Sequence, residues 1–226
     1  MSKVTALRNV PFFASLSGQE LEALADSLER RTFGKGMIIF HKGSPGQTLY
    51  IIESGKVRIF ILSESGQEIS VNIYGPGDAF GELALLDGLP RSAGAVAMEH
   101  TVTLTLHRDD FLRHLGAHPR MAQSIIEVLS ARLRYTTTYA EGLAFLDVCG
   151  RVAAKLLELA ERYGVQKEGI EIELRLTQAE LASCVGTTRE SVNKVLGTFR
   201  EQGLIELEGR KISILDRQRL KKRILY

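Results

Sequence analysis

Short strand-like runs separated by turn residues occupy positions 32–107, and this alternation constrains the fold more than any other feature of the chain. The runs are rich in β-branched and aromatic residues, and Gly, Pro, Ser or Asp separates each run from the next. Eleven of the 21 glycines fall between Gly34 and Gly94. The pattern predicts an antiparallel barrel or sandwich, with short helices at 17–28 and 108–115 and strands at Met37–Phe40, Leu49–Ile52, Val57–Leu62, Glu68–Tyr74 and Val102–Leu106.

A single long helix is predicted from position 119 to position 146, where the turn residues stop. Apolar and small residues recur there at alternating spacings of three and four, which is typical of the seam of a coiled coil and indicates a homodimer. The alternative is an amphipathic helix that packs on its own domain. The seam positions are Ile126, Leu129, Leu133, Thr136, Ala140 and Leu143.

Three threonines, Thr136 to Thr138, interrupt this helix with β-branched hydroxyl residues, which are poorer helix formers than Leu or Ala. A polar residue in a seam can set the register of a dimer. It can equally contact a ligand bound beside the helix. The residues themselves leave both explanations open.

Two Thr-x-x-Glu sequences, Thr177–Glu180 and Thr187–Glu190, lie on either side of Gly186. Each has the form of a helix N-terminal capping box, and Gly186 stands where a tight turn between helices needs a positive φ. A β-hairpin is predicted next, with strands at Leu204–Leu207 and Ile212–Leu215. Together these features predict a winged helix-turn-helix.

The second helix of this pair has one apolar face and one polar face. Val192, Val195, Leu196 and Phe199 fall at helical spacing, so their face is predicted to be buried. The opposite face carries Arg189, Glu190, Asn193 and Lys194.

The polar face suits the reading of DNA bases. In a helix-turn-helix the second helix enters the major groove, where Arg can pair with guanine and Glu can accept from cytosine. Hydroxyl and amide side chains at helix starts suit phosphate contacts, which assigns that role to Thr177, Gln178 and Thr188. Glu190 acting only as a capping residue, or only in an ion pair with Lys194, is the alternative.

The charge distribution supports a polyanionic partner for the C-terminal part. Residues 1–118 carry 11 basic and 13 acidic side chains, whereas residues 119–226 carry 18 and 14. A solvated basic surface is the alternative explanation. No run of apolar residues is long enough to cross a membrane, the first 17 residues lack the pattern of a signal peptide, and the two cysteines cannot form a disulfide framework. A cytoplasmic location is therefore expected.

Three blocks of sequence resemble known motifs. Gly81–Leu86 followed by Arg91–Ala93 resembles the phosphate-binding cassette of cyclic-nucleotide-binding domains. Gly142–Val148 with Gly150–Val152 resembles the hinge of the cAMP receptor protein (catabolite activator) family, and Val185–Val192 resembles the entry to that family's recognition helix. The blocks follow the family's order and spacing, and the similarity extends over essentially the whole chain.

The resemblance implies an α+β chain in three parts. These are an antiparallel, jelly-roll-like β-roll at 1–118, a dimerisation helix at 119–146 and a winged helix-turn-helix at 147–226. It further implies cAMP as the effector and a homodimer that binds palindromic double-stranded DNA with TGTGA-like half-sites. RNA polymerase is an expected further partner.

The resemblance also implies roles for individual residues. Glu82 would hold the ribose 2′-hydroxyl, Arg91 and Ser92 would bind the cyclic phosphate, and Thr136 and Thr137 would contact the purine. The remaining cassette positions assigned to the ligand are Gly81, Leu83, Ala84 and Ala93.

Two positions depart from the cAMP-responsive members of the family. Those members have Thr-Ser where this chain has Thr136-Thr137. Adenine is therefore the expected base of the ligand, and another base remains an alternative. The cAMP-responsive members have a second arginine where this chain has Lys194, and a point charge is expected to discriminate that base pair less sharply.

Other classes of protein lack support in the sequence. No cysteine precedes Cys149, which disfavours an iron–sulfur cluster, and the five histidines form no pair that resembles haem ligands or a cupin metal site. No nucleophile motif is present, so an enzyme is not expected. The alternatives kept open are cyclic di-GMP as the effector, no effector, and a sensor that regulates a protein partner without binding DNA.

Overall fold

The structure is a computed structural model that describes residues 2–64 and 66–224. Helices and antiparallel sheets are both present, which confirms the α+β class. The described residues divide into two compact units, the first within 1–67 and 71–134 and the second within 68–70 and 135–226. This division falls inside the long helix, whereas the sequence placed boundaries at 118/119 and 146/147, and the three-part division stays a prediction.

The first unit is built on two four-stranded sheets with helices beside them. The sheets have the orders β1-β8-β3-β6 and β2-β7-β4-β5. The strands are β1 Glu29–Phe33, β2 Ile38–Phe40, β3 Thr48–Ser54, β4 Val57–Leu62, β5 Glu68–Tyr74, β6 Ala79–Phe80, β7 Gly94–Ala97 and β8 Thr101–His107. The helices are α1 Lys3–Arg8, α2 Gly18–Asp26, α3 Leu83–Asp87, α4 Arg108–Ala117 and the first part of α5 Pro119–Phe145, with a 3₁₀ turn at Pro11–Phe13.

All five predicted strands are present, and the sequence missed β1, β6 and β7. The charged residues of β1 hide its strand character, because four of its five residues are exposed. β7 consists of small, fully buried residues without alternation. The predicted helices at 17–28, 108–115 and 119–146 are confirmed as α2, α4 and α5. Ser17 caps α2 in a reciprocal capping box with Glu20.

Two apolar clusters form the core of the first unit. The larger one joins the N-terminal helices to β3 and β8, and Phe12, Phe13 and Leu104 are fully buried in it. The smaller one is aromatic, with the rings of Tyr50 and Phe80 stacked 5.2 Å apart. This aromatic cluster lies against Phe40, whose ring is 5.9 Å from that of Phe80.

The second unit combines the rest of α5 with helices and a four-stranded sheet of order β11-β12-β10-β9. Its helices are α6 Val148–Tyr163, α7 Gln178–Val185, α8 Arg189–Glu201 and α9 Arg217–Lys221. Its strands are β9 Gly164–Gln166, β10 Ile170–Ile172, β11 Ile205–Glu208 and β12 Lys211–Ile214. The predicted hairpin is confirmed as β11–β12, and the sequence missed its two sheet neighbours.

The helix pair α7–α8 forms as predicted, but its second cap differs by one residue. Thr177 and Glu180 form the expected capping box, and Gly186 ends α7 at a φ of 64°. The N-cap of α8 is Thr188, whose hydroxyl accepts from the Ser191 amide at 3.2 Å. The expected Thr187–Glu190 box is therefore wrong, because Thr187 still belongs to the turn and its amide bonds to the Ala182 carbonyl.

Glu171 on β10 holds a cluster of ion pairs in this unit. Its carboxylate is only 5% exposed and lies 2.7 Å from Lys167 Nζ, 3.0 Å from an Arg175 nitrogen and 3.1 Å from Lys211 Nζ. The hydrogen bond from Lys167, together with those from Lys211 and Arg175, lowers the pKa of Glu171 to about 2.

We expect this carboxylate to stabilise the second unit in full above pH ~4, the pKa range of an unfolded Glu. Since its folded pKa is the lower one, the stabilisation is lost as pH falls from ~4 towards 2. The variant Glu171→Gln should be less stable than wild type in urea unfolding at pH 7, and the two should converge near pH 2. Glu173→Gln, at an exposed neighbouring position, is the control. A difference between wild type and Glu171→Gln that persists unchanged at pH 2 would contradict the role of the ion pairs.

Candidate nucleotide pocket and nucleic-acid interface

Arg91 lies at the centre of the predicted cassette, and its side chain is buried. It is only 5% exposed, and its two terminal nitrogens donate to the carbonyls of Gly81, at 2.6 Å, and Thr48, at 2.7 Å. The third nitrogen, Nε, is buried with no hydrogen-bond partner among the described residues. A buried cationic donor without a partner is costly. An anionic oxygen is the acceptor that would satisfy it best.

The surroundings of Arg91 are shaped for a guanidinium group. The ring of Phe40 lies 4.3 Å from its central carbon, which is a cation–π contact. A Cβ on Gly81 would come within 2.5 Å of Arg91 Nη1, and one on Gly46 within 2.9 Å of Nε. Gly81 also has a positive φ, and a Cβ on Gly46 would collide with the Ala84 Cβ, so both positions require glycine. Burial lowers the pKa of Arg91, yet an arginine keeps its charge at neutral pH.

Glu82, the predicted ribose ligand, is 4% exposed and forms an ion pair with Arg132 at 2.8 Å. Arg132 also donates to the Ala79 carbonyl at 2.6 Å and stacks 4.7 Å from the centre of the Tyr74 ring. Arg132 could not be predicted as part of this site, because an arginine on a long amphipathic helix resembles an ordinary surface residue. The structure therefore shows that a cation, Arg132, lies beside the carboxylate of Glu82.

The other cassette residues differ in exposure. Gly81 has a φ of 85°, and Ala84 is buried. Leu83 and Ser92 are exposed and Ala93 is half-buried. The structure thus brings the buried residues Glu82, Ala84 and Arg91 together with the half-buried Gly81.

Thr136 and Thr137 belong to the second unit, where both are exposed on α5. Their assignment to the purine remains a prediction. The same holds for the individual ligand roles of the cassette residues.

The predicted DNA-reading face of α8 is exposed, and the opposite face is buried. Val192, Leu196 and Phe199 are buried, and Val195 is half-buried. The exposed residues are Arg189, Glu190, Asn193 and Lys194. This arrangement leaves the polar side chains available to a partner along more than one helical turn.

Glu190 is fully ionised at neutral pH in this position. Its own backbone amide, followed by the side chain of Thr188, lowers its pKa. An ionised carboxylate at the start of α8 can only accept hydrogen bonds. Cytosine N4 offers such a donor in the major groove.

The three predicted phosphate ligands lie at helix starts. Gln178 and Thr188 are exposed, and Thr177 is half-buried. Thr177 Oγ1 donates to Glu180 Oε2 at 2.8 Å, and Thr188 Oγ1 bonds to Ser191. Both hydroxyl groups thus serve in helix caps.

Residues 2–64 and 66–224 contain no cluster of three or more His, Cys, Asp or Glu side chains that could hold a metal ion. Among the same residues, no helix is both long and apolar enough to span a bilayer.

Comparison with known proteins assigns both units. Residues 30–118 match the family described as "Cyclic nucleotide-binding domain", and residues 150–223 match the "Crp-like helix-turn-helix domain". The chain is 38% identical over 218 residues to the CRP-like cAMP-activated global transcriptional regulator of Mycobacterium tuberculosis, covering 96% of this chain and 97% of that protein. The chain belongs to the CRP/FNR family. It is a DNA-binding transcription regulator with a cyclic nucleotide-binding domain, and it is not an enzyme.

Two further relatives bear on the effector of this CRP/FNR regulator. The cyclic AMP receptor protein of Thermus thermophilus is 36% identical over 201 residues, which is 89% of this chain and 90% of that one. The solved structure of the c-di-GMP responsive global regulator CLP of Xanthomonas campestris is similar with a TM-score of 0.78 and 26% identity, covering 88% of this chain and 99% of that one.

Proposed function

We propose that this CRP/FNR regulator is a homodimer whose binding to a palindromic, TGTGA-like DNA site is controlled by cAMP. The single observation on which the proposal rests is the buried Arg91. Its Nε has no partner among the described residues and lies beside Gly46 and Gly81, two positions where a Cβ would collide with neighbouring atoms. The residues fit a cyclic phosphate, because this group offers anionic oxygens to a guanidinium donor.

The nucleotide would be held by the cassette. Arg91 and Ser92 would donate to the phosphate, Glu82 would accept from the ribose hydroxyl, and Thr136 and Thr137 would meet the purine. Glu82 is already paired with Arg132, so the carboxylate is held in place before a hydroxyl donor arrives.

The identity of cAMP rests on the M. tuberculosis and T. thermophilus relatives, whose names state that they respond to or receive cAMP. The X. campestris regulator supports cyclic di-GMP as the alternative effector. Action without an effector, and action on a protein partner instead of DNA, are the more distant alternatives. RNA polymerase is the further partner that we expect in the cytoplasm.

Control of DNA binding requires two packings of the dimer with different affinities for the nucleotide. A ligand shifts the equilibrium only by that difference, for which roughly 1–3 kcal/mol of coupling is typical. The packing that cAMP favours would place two copies of α8 one turn of DNA apart.

Fluorescence anisotropy of a TGTGA-N6-TCACA duplex tests the proposal, with protein titrated at one fixed salt concentration. Salt must be fixed because phosphate contacts make DNA affinity steeply salt-dependent. We expect cAMP to tighten binding to this duplex and not to a scrambled one. Equal binding with and without cAMP would refute cAMP as the effector, and cyclic di-GMP is then the next titrant. Equal binding to both duplexes would refute the DNA site.

Glu190→Ala is expected to relax the preference for one base pair in each half-site. The loss of an acceptor for cytosine N4 should reduce discrimination there by about 1–3 kcal/mol. Binding to a set of single-base duplex variants measures the effect. Glu201→Ala, at the far end of α8, is the matched control. An unchanged preference in the Glu190 variant would assign Glu190 to capping alone.

A further inference from the structure

A cavity of about 390 Å³ opens within the second unit, between α6, the second part of α5 and the end of α7. Its volume falls in the range of roughly 300–1,000 Å³ that is usual for small-molecule sites. Most of its wall is apolar, with Leu146, Ala154 and Val185 among the lining residues. None of the functions assigned above uses this cavity.

Lys155 forms part of the wall, and its ammonium group is already paired with a carboxylate. Its Nζ lies 2.7 Å from a carboxylate oxygen of Glu158 and 3.0 Å from the Tyr135 hydroxyl. Burial by itself lowers the pKa of Lys155, but Glu158 and Tyr135 outweigh burial, so the net shift is upward. Lys155 is therefore charged at neutral pH and is already paired with Glu158.

Arg151 brings a second cation to the wall. Its Nε donates to the Val185 carbonyl and its Nη1 to the Leu146 carbonyl, both at 2.8 Å. No carboxylate forms an ion pair with Arg151 within residues 2–64 and 66–224. The remaining nitrogen of Arg151, Nη2, takes part in neither of the two hydrogen bonds to carbonyls. Two cations thus face one carboxylate, and the cavity keeps an excess of positive charge.

Tyr139 adds an unsatisfied donor. Its hydroxyl is buried and has no hydrogen-bond partner among the described side chains and backbone. Burial, followed by the nearby Cys184, raises the pKa of Tyr139 to about 12. The hydroxyl stays neutral at physiological pH and can donate to an acceptor that reaches it. An unmade buried hydrogen bond is costly, so an acceptor there would be stabilising.

The α5 side of the cavity is offset from the predicted dimer seam. Its α5 residues Tyr135, Tyr139 and Gly142 each precede a seam position by one residue, which turns them by about 100° around the helix. The α5 residues that line the cavity are therefore different from the predicted seam residues. The cavity also reaches the turn of the helix-turn-helix, since a Cβ on Gly186 would lie 3.9 Å from the Tyr139 oxygen.

We propose that this cavity binds a small organic monocarboxylate. The apolar body of the ligand packs on Leu146 and Ala154, and its carboxylate pairs with Arg151. The Tyr139 hydroxyl, the unpartnered donor in the cavity lining, is the second group offered to the carboxylate. This site is distinct from the cassette, so it does not depend on the effector proposed above.

Isothermal titration calorimetry of the full chain with octanoate, hexanoate and phenylacetate tests the site, with the corresponding amides as neutral counterparts. We expect at least one acid to bind about tenfold more tightly than its amide, as a charge-assisted hydrogen bond requires. Equal affinity of acid and amide would overturn the proposal. Failure of all three acids to bind with a Kd on the order of 1 mM or below would also overturn it.

Two variants locate the binding. Arg151→Gln should weaken binding of the acid about tenfold and leave the amide unaffected, whereas the exposed Arg162→Gln on the same helix should change neither. Ala154→Leu fills the cavity and should abolish binding of both. Thermal unfolding checks that the variants fold, and Ala154→Leu alone remains decisive if Arg151→Gln does not fold. Binding that survives Ala154→Leu, or that excess cAMP displaces, would assign the acid to another site.

Discussion

Arg91→Leu is expected to weaken cAMP binding by at least about 30-fold. Arg91 is the one buried cation of the cassette with an unpartnered nitrogen among the described residues. Removing one partner of a buried, hydrogen-bonded charge pair costs about 2–5 kcal/mol of binding free energy. Calorimetry with cAMP measures the loss. Non-specific DNA binding should be unchanged, because α8 lies in the other unit.

The matched control is Arg31→Leu, at an exposed position on β1. Arg91 also holds the Gly81 and Thr48 carbonyls, so thermal unfolding must show that its variant folds. Glu82→Gln provides an independent test, since an amide oxygen still accepts from Arg132 but without charge. A cAMP response that is undiminished in Arg91→Leu would refute the cassette assignment.

Leu133→Glu is expected to dissociate the dimer and to weaken binding to the full palindrome by about 10²–10⁴-fold through loss of bivalency. Leu133 is 69% exposed in the single chain and occupies a predicted seam position on α5. In a two-fold dimer the substituted carboxylates would face each other across the seam, where burial of charge is costly. Sedimentation velocity and anisotropy on full-site and half-site duplexes measure both effects.

Leu62→Glu, at an exposed position on β4, is the control and should change neither property. Binding to an isolated half-site should be similar in wild type and in Leu133→Glu, because each copy of α8 is intact. If Leu133→Glu remains a dimer, the seam assignment fails. The amphipathic helix that packs on its own domain would then be the better explanation of the spacing.

Locally encoded features were predictable from the sequence. The helix α5 begins at Pro119 and ends at Phe145, within one residue of the prediction, because apolar spacing and turn residues act over a few positions. Gly186 adopts its positive φ for the same reason. The family's motifs are also contiguous blocks, so the family itself could be identified from the residues.

Features that depend on distant partners were not predictable. β1 forms although its residues are mostly charged, because it pairs with β8, whose partner residues are 68 to 76 positions away. The cap of α8 shifted from Thr187 to Thr188 because the Thr187 amide is held by the preceding helix. Rules based on local sequence patterns predict neither the pairing of β1 with β8 nor the position of this cap.

The sequence by itself therefore determined the fold class, the helix pair and the family of this regulator, since each is encoded in short segments. Only the tertiary structure decided that Arg91 is buried between Gly46, Gly81 and Phe40 and that Arg132 pairs with Glu82. It alone revealed the cavity beside Arg151 and Tyr139. These contacts join residues that are far apart in the chain, and burial, the absence of a hydrogen-bond partner and the placement of charge arise only when the chain is packed.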